Sequence, residues 1–204
     1  MTVAAIVLAA GASTRMGRPK PLLPWGDRGL LAWELEELLR SRVDDIVVVT
    51  GARADAVRRA LGGGSRYCVF NPTWAQGRAG SLACGAKALL ADARPTPESV
   101  VVQNVDQPTR HDIIDRLVEE LRSTGAESVQ PGHRGKAGHP VVLTGSLLPE
   151  LAAASDRTLG LRGVLEQHPP RRLAMDDEPV VRLDLDTPDS LDEGRRLLGV
   201  STAS

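Results

Sequence analysis

The stretch Leu8-Ala9-Ala10-Gly11-Ala12-Ser13-Thr14-Arg15-Met16-Gly17-Arg18-Pro19-Lys20 decides how the rest of the chain is read. It closes an apolar run, Thr2 to Ala10, that has no basic segment before it and turns at once into Gly11 and Arg15. That pattern predicts a buried first strand near Val3 to Leu8, not a leader. A loop after such a strand sits at the carboxyl edge of a sheet, where open α/β folds bind ligands. Small residues at Ala10, Gly11 and Ala12 let backbone N–H groups approach an anion closely. Arg15 and Lys20 add charge suited to a triphosphate, the guanidinium by forking to two oxygens and the ammonium as a mobile point charge. The alternative is a solvated basic loop. The Gly-Lys-Ser/Thr ending of a P-loop is missing, and Gly11 and Gly17 do not make G-x-G-x-x-G, which excludes both common phosphate motifs.

Outward from this loop, strand-length apolar runs alternate with helix-period segments, the signature of an α/β fold with a mostly parallel sheet covered on both faces. Helices are predicted at Leu30–Arg40, Ala54–Leu61, Ser81 to about Ala91, His111–Ser123, Leu147–Ala154, Leu159–Gln167 and Ser190–Leu198. Strands are predicted at Asp45–Thr50, Tyr67–Phe70, Ser99–Val105, Arg171–Met175 and Val180–Leu185, with two short ones between Glu127 and Leu143. Ser99–Val105, apolar until Gln103 and Asn104, reads as a central strand. Arg94–Glu98 reads as a surface turn. No repeat or linker interrupts the pattern, so residues 1–204 are expected to form a single domain whose last few residues are disordered.

Lys plus Arg number 25 against 26 Asp plus Glu, a net charge of -1 that gives neither nucleic acid nor a membrane surface anything to attract. No stretch approaches the length of a membrane span. Cys68 and Cys84 stand apart from each other and from any Cys/His cluster, which argues against zinc and fits a reducing cytoplasm. Both read as core residues.

Asp106 ends the most apolar strand. A carboxylate there is costly unless paired or bound to a cation, and magnesium takes one or two carboxylates plus phosphate oxygens and waters. Asp186, before Thr187-Pro188 at the end of the last predicted strand, is the natural second ligand, with Asp184 close enough to compete for the role. A helix N-cap or a turn before Pro108 is the alternative for Asp106, and helix capping in Asp-Thr-Pro-Asp the alternative for Asp186. Ser81 is expected at a helix N-terminus as a cap, as a ligand contact, or as both.

The thirteen residues from Leu8 to Lys20 resemble the loop of the nucleotidyltransferases of molybdenum-cofactor maturation, within the wider group that includes sugar-nucleotide pyrophosphorylases. Asn71-Pro72-Thr73-Trp74-Ala75-Gln76-Gly77 through Ser81-Leu82 is similar to that family's second segment, and Asp106-Gln107-Pro108 to its metal motif. Gly138-His139-Pro140 is similar to its acceptor-side motif, and Gly160-Leu161-Arg162 with Asp184-Leu185-Asp186-Thr187-Pro188 to its late elements. The match runs in order over nearly the whole chain. The resemblance implies a Rossmann-like three-layer sandwich of the nucleotide-diphospho-sugar transferase type. It further implies nucleotide contacts from Leu8, Ala9, Ala10, Gly11, Ser13, Arg15, Lys20, Gly77, Gly80 and Ser81, and Mg2+ on Asp106 and Asp186. Catalytic roles fall to Arg15, Lys20 and Asp106, and acceptor contacts to Gln107, His139, Pro140 and Arg162. His139 as a structural histidine and Arg162 as a surface arginine stay open.

The implied reaction is in-line displacement at the α-phosphorus of an NTP by the phosphate of a small acceptor, with pyrophosphate leaving. Leu8-Ala9-Ala10-Gly11 resembles the CTP-using branch, whereas GTP-using members have Leu-Ala-Gly-Gly, so CTP and molybdopterin or molybdenum cofactor are the expected substrates. A molybdoenzyme or its maturation factor is the implied partner. Two other readings stand beside this one: an NAD(P)H- or flavin-linked oxidoreductase on the same fold, and a non-catalytic cofactor carrier.

Overall fold

The computed structural model describes residues 2–13, 17–91 and 95–201. In chain order, β1 (Val3–Ala9), a ribbon of β2 (Pro24–Trp25) and β3 (Arg28–Gly29), and α1 (Leu30–Arg40) come first. Next are β4 (Asp45–Thr50), α2 (Ala54–Leu61), β5 (Cys68–Phe70), α3 (Arg78–Leu89), β6 (Ser99–Asn104) and α4 (His111–Thr124). The rest holds β7 (Ser128–His133), β8 (Lys136–Ala137), β9 (Val141–Thr144), α5 (Leu148–Ala152), α6 (Leu161–Gln167), β10 (Arg171–Ala174) and α7 (Pro188–Leu197).

The main sheet runs β10-β7-β9-β6-β1-β4-β5, with β8 added to β7. β1 lies in the middle, parallel to β4 and to β6, with Ile6 opposite both Val47 and Val102. β9 runs antiparallel to β6 and to β7, so the sheet is mostly, not wholly, parallel. Strand alternation divides the core into two layers. Ala5, Val7, Val48 and Val101 face α1 and α4 on one side, while Ile6, Val47, Val49 and Val102 face α3 and α5 on the other. Gly85 lets α3 lie flat on the sheet, because a Cβ there would stand 2.5 Å from Ile6 and 3.0 Å from Val49. On the opposite layer Glu37 of α1 accepts from the His111 amide at 2.9 Å and so caps α4 from outside.

Several expectations are corrected. Val180–Leu185 is not a strand: Pro179–Arg182 form a 3-10 turn. Proline at its first position lacks the N–H a ladder needs, and the buried Val180, Val181, Leu183 and Leu185 serve loop packing. The helix assigned to Ser81–Ala91 begins at Arg78, after Gly77 at φ 140. Ser81 is therefore inside the helix and is not its cap. The helix assigned from Leu159 begins at Leu161, because Leu159 and Gly160 both take positive φ, 60 and 57. Between Glu127 and Leu143 there are three strands, not two. Arg94, part of the predicted turn, lies outside the described residues.

Candidate functional site

Most of the described residues assigned to the first loop converge on the carboxyl end of β1. Leu8 and Ala10 face a cleft of about 210 Å³ that Gly11, Ser13 and Lys20 also line. Ala9, one residue out of phase, points into the opposite core layer and does not reach the cleft. Ser13, at φ 53, accepts from the Lys20 amide at 2.9 Å, which folds the loop back and sets Lys20 at its exit. Arg15 lies outside the described residues.

Asp106 sits across the cleft. Lys20 Nζ is 2.8 Å from Asp106 Oδ2 and 2.6 Å from Asp186 Oδ1. Burial alone would lower the Lys20 pKa, but the hydrogen bonds to Asp106 and Asp186 outweigh it and hold the ammonium above its ordinary value. The Asp106 carbonyl accepts from the Leu185 amide at 2.8 Å, which delivers Asp184 and Asp186 to the same place. Asp106, Asp184 and Asp186 each offer an oxygen within 4.8 Å of the others. Burial, then the charges of Asp106 and Asp186, push the Asp184 carboxyl up. Neither aspartate of the expected pair acts as a helix cap: the cap of α4 falls at Arg110, and Thr187 caps α7 through a reciprocal pair with Ser190.

The donor set fits a hard divalent cation. Three carboxylates crowd together and already draw in an ammonium as counter-charge, and oxygen donors are what magnesium and manganese prefer.

Arg78 completes this cleft, with Nη2 3.6 Å from Asp106 Oδ2. Ser81 lines it one turn further along α3, where its hydroxyl accepts from Asn71 Nδ2 at 3.1 Å. Gly77 and Gly80 do not line it. A Cβ on Gly77 would collide with the Asp156 carboxylate, and Gly80 faces Thr73 inside α3. Gly77 is thus held for backbone geometry.

The acceptor-side residues divide. His139 and Arg162 share a second cavity of about 330 Å³ with Asn104 and Gln130, over an apolar floor that includes Val141 and Leu165. Burial, and the Arg182 charge beside it, push the His139 imidazole down, so it is uncharged at neutral pH. Arg162 is exposed at the rim, and its Nε is 2.9 Å from Glu166 Oε1. Pro140 is buried behind a cis His139–Pro140 bond and lines neither space. Gln107 also lines neither; its Oε1 accepts from Asn104 Nδ2 at 2.7 Å.

Sequence reasoning missed Arg78, Asn104 and Gln130, and ranked Asp184 behind Asp186. One signal was available: Gln103 and Asn104 are a polar pair closing an otherwise apolar strand.

Residues 5–172 match the MobA-like NTP transferase domain. The chain is 32% identical to nicotine blue oxidoreductase of Paenarthrobacter nicotinovorans, over 82% of this chain and 83% of that one. It is 29% identical to molybdenum cofactor cytidylyltransferase of Escherichia coli K12, over 90% and 91%. Among solved structures, Rv0371c of Mycobacterium tuberculosis H37Rv superposes with a TM-score of 0.75 at 30% identity, covering 98% of each chain. The manganese complex of that protein gives 0.71 at 29% identity, over 98% of this chain and 99% of the other. A matched segment of this extent, with the loop, carboxylates and sheet order in place, settles kinship: the chain belongs to the MobA-like NTP transferase family.

Proposed function

We propose that this chain is one NTP-transferase domain that moves CMP from CTP onto the phosphate of molybdopterin or molybdenum cofactor and releases pyrophosphate. The observation that carries the reading is the meeting of Lys20 with Asp106 and Asp186, and with Asp184 alongside, at the mouth of the loop cleft. The likeness to the Escherichia coli cytidylyltransferase over nine tenths of both chains supports the acceptor and the base. Ala10 supports CTP as well: its methyl is buried at the cleft wall, where GTP-using members resemble one another in having glycine.

The triphosphate lies along Leu8 to Ser13, and Lys20 and Arg15 neutralise it. Asp106 and Asp186 would hold the metal, with Asp184 as a third carboxylate. A magnesium ion bound there would supply positive charge and Lewis acidity to the transfer. Arg78 faces the charge that develops there, and Ser81 meets the nucleoside. His139 and Arg162 seat the acceptor. Its phosphate is already anionic near neutral pH, so no strong general base is required, and the residues supply position and charge.

A second reading is favoured by one observation, the 32% identity to a chain named nicotine blue oxidoreductase. A nicotinamide- or flavin-linked protein, like a non-catalytic carrier, gains nothing from a lysine bridging two of three clustered carboxylates.

The test is pyrophosphate release from CTP, GTP and ATP, with magnesium and molybdenum-bearing pterin cofactor, in the wild type and Asp106→Ala. Release with CTP alone, lost in the variant, is the expected result. NADPH oxidation without CTP turnover would replace the reading with the redox one, and acceptor binding without turnover with the carrier.

A further inference from the structure

The loop cleft and the second cavity open side by side at the carboxyl end of β6. Among the described residues, Asn104 alone lines both. Its side chain does not swing freely, because Nδ2 donates to Gln107 Oε1 at 2.7 Å. Gln107 is itself buried, and its amide donates back to the Asn104 carbonyl at 2.9 Å, so backbone and side chain of Asn104 are both tied to one neighbour. Asn104 thus presents a fixed carboxamide at a junction between the wall formed by Lys20 and Asp106 and the wall formed by Gln130 and His139, with the Arg162–Glu166 pair also lining the second cavity. An aliphatic residue, the type that fills Val100, Val101 and Val102 of the same strand, would close off this polar passage.

We infer that Asn104 is the substrate contact at this junction, hydrogen-bonding the acceptor where it passes from the second cavity to the phosphates in the loop cleft. Gln107 is a positioning residue that fixes the carboxamide. The inference rests on the transfer reading for the identity of the two ligands, and on the geometry alone for the place where they meet. A rigid carboxamide discriminates strongly, since a ligand unable to pair with it leaves a polar group unsatisfied.

Calorimetry on the full chain tests this independently of turnover, with CTP and molybdenum-bearing pterin cofactor as probes for the wild type, Asn104→Leu and Asn104→Ser. Both variants are expected to weaken the Kd for the pterin cofactor by about tenfold or more while the Kd for CTP moves by less than about threefold. Asn104→Ser keeps a small polar group at a half-buried site and guards against misfolding by leucine, with melting temperatures measured alongside. Unchanged pterin binding in both variants overturns the inference even if the wild type transfers CMP. Weakened pterin binding in variants of a wild type that never transfers CMP supports the Asn104 contact and overturns the transfer reading. Absence of pterin binding by the wild type overturns both.

Discussion

Lys20 Nζ lies 2.8 Å from Asp106 Oδ2, joining the exit of the first loop to the end of β6 across 86 positions of sequence. The same ammonium reaches Asp186 Oδ1 at 2.6 Å. One cation therefore organises carboxylates from two distant segments. A buried carboxylate that loses its counter-charge is destabilising, whereas an intact pair is close to neutral.

Lys20→Met is accordingly expected to slow nucleotidyl transfer by about 100-fold or more, since it removes charge from the reacting phosphates. The variant is also expected to melt several degrees lower without divalent ions, because Asp106, Asp184 and Asp186 then repel one another. Magnesium or manganese should restore part of that loss, giving a larger metal-induced rise in Tm than in the wild type. Thermal melts across a metal titration read this directly. Equal metal responses in both proteins would remove Lys20 from the carboxylate cluster's charge balance.

Glu34 carries a pH dependence of the opposite kind from an ordinary carboxylate. It is fully buried on α1, and burial raises its pKa well above the usual 4.5 even though Gln103 Nε2 donates to Oε1 at 3.1 Å. Its other oxygen finds no hydrogen-bond partner among the described residues, a deficit that costs a neutral carboxyl less than a carboxylate. The unfolded chain gives up this proton near the ordinary value of 4.5, while the folded chain keeps it to higher pH. Stability is therefore fully present below the unfolded value and falls as pH rises through the folded one. Glu34→Gln removes that fall, by about 1.4 kcal/mol for each unit separating the two pKa values. Urea unfolding at pH 5 and pH 8 should find the variant more favoured at pH 8. Parallel pH profiles would show that Glu34 is ionised in the fold.

Gly77 and Asp156 form a steric latch. The backbone of Gly77 takes φ 140, and a side chain there would meet the Asp156 carboxylate, whose Oδ1 also accepts from the Ala79 amide at 3.4 Å. Gly77→Ala is expected to cost about 2–4 kcal/mol, part from backbone strain and part from the clash. Asp156→Ala in the same chain should return only the clash portion. Denaturation of the single and double variants checks this, and full recovery in the double variant would mean the backbone at Gly77 carries no strain.

Where local signals agreed, the sequence was legible to the residue. α1, β4 and α2 begin and end as their apolar period and flanking turns require, because propensity, pattern and packing point the same way there. Val180–Leu185 misled because alternating apolar residues serve a buried loop as well as a strand, and sheet partnership is a tertiary fact. The start of α3 was misplaced by trusting Ser81 as a cap when Gly77, with no side chain to offer, marks the turn. In the site, Asp106 could be picked out because a carboxylate closing a buried strand is costly without a purpose, Lys20 because it ends the basic first loop, and Asp186 through the family resemblance and a strand that does not form. Arg78 and Gln130 could not, since an arginine near a helix start and a lone amide on a strand have no distinctive pattern, and the polar pair closing β6 did not say which space Asn104 would face. Only the juxtaposition of β6, β7 and α3 around the two spaces singles them out.

The most direct test of the central claim follows the label from CTP carrying radioactive phosphorus at the α-position, with magnesium and molybdenum-bearing pterin cofactor. The label is expected to move to the pterin product in a one-to-one ratio with pyrophosphate released, and to stay on CTP with Asp106→Ala. Label that remains on CTP with the wild-type protein, while the pterin cofactor is bound, would contradict the account.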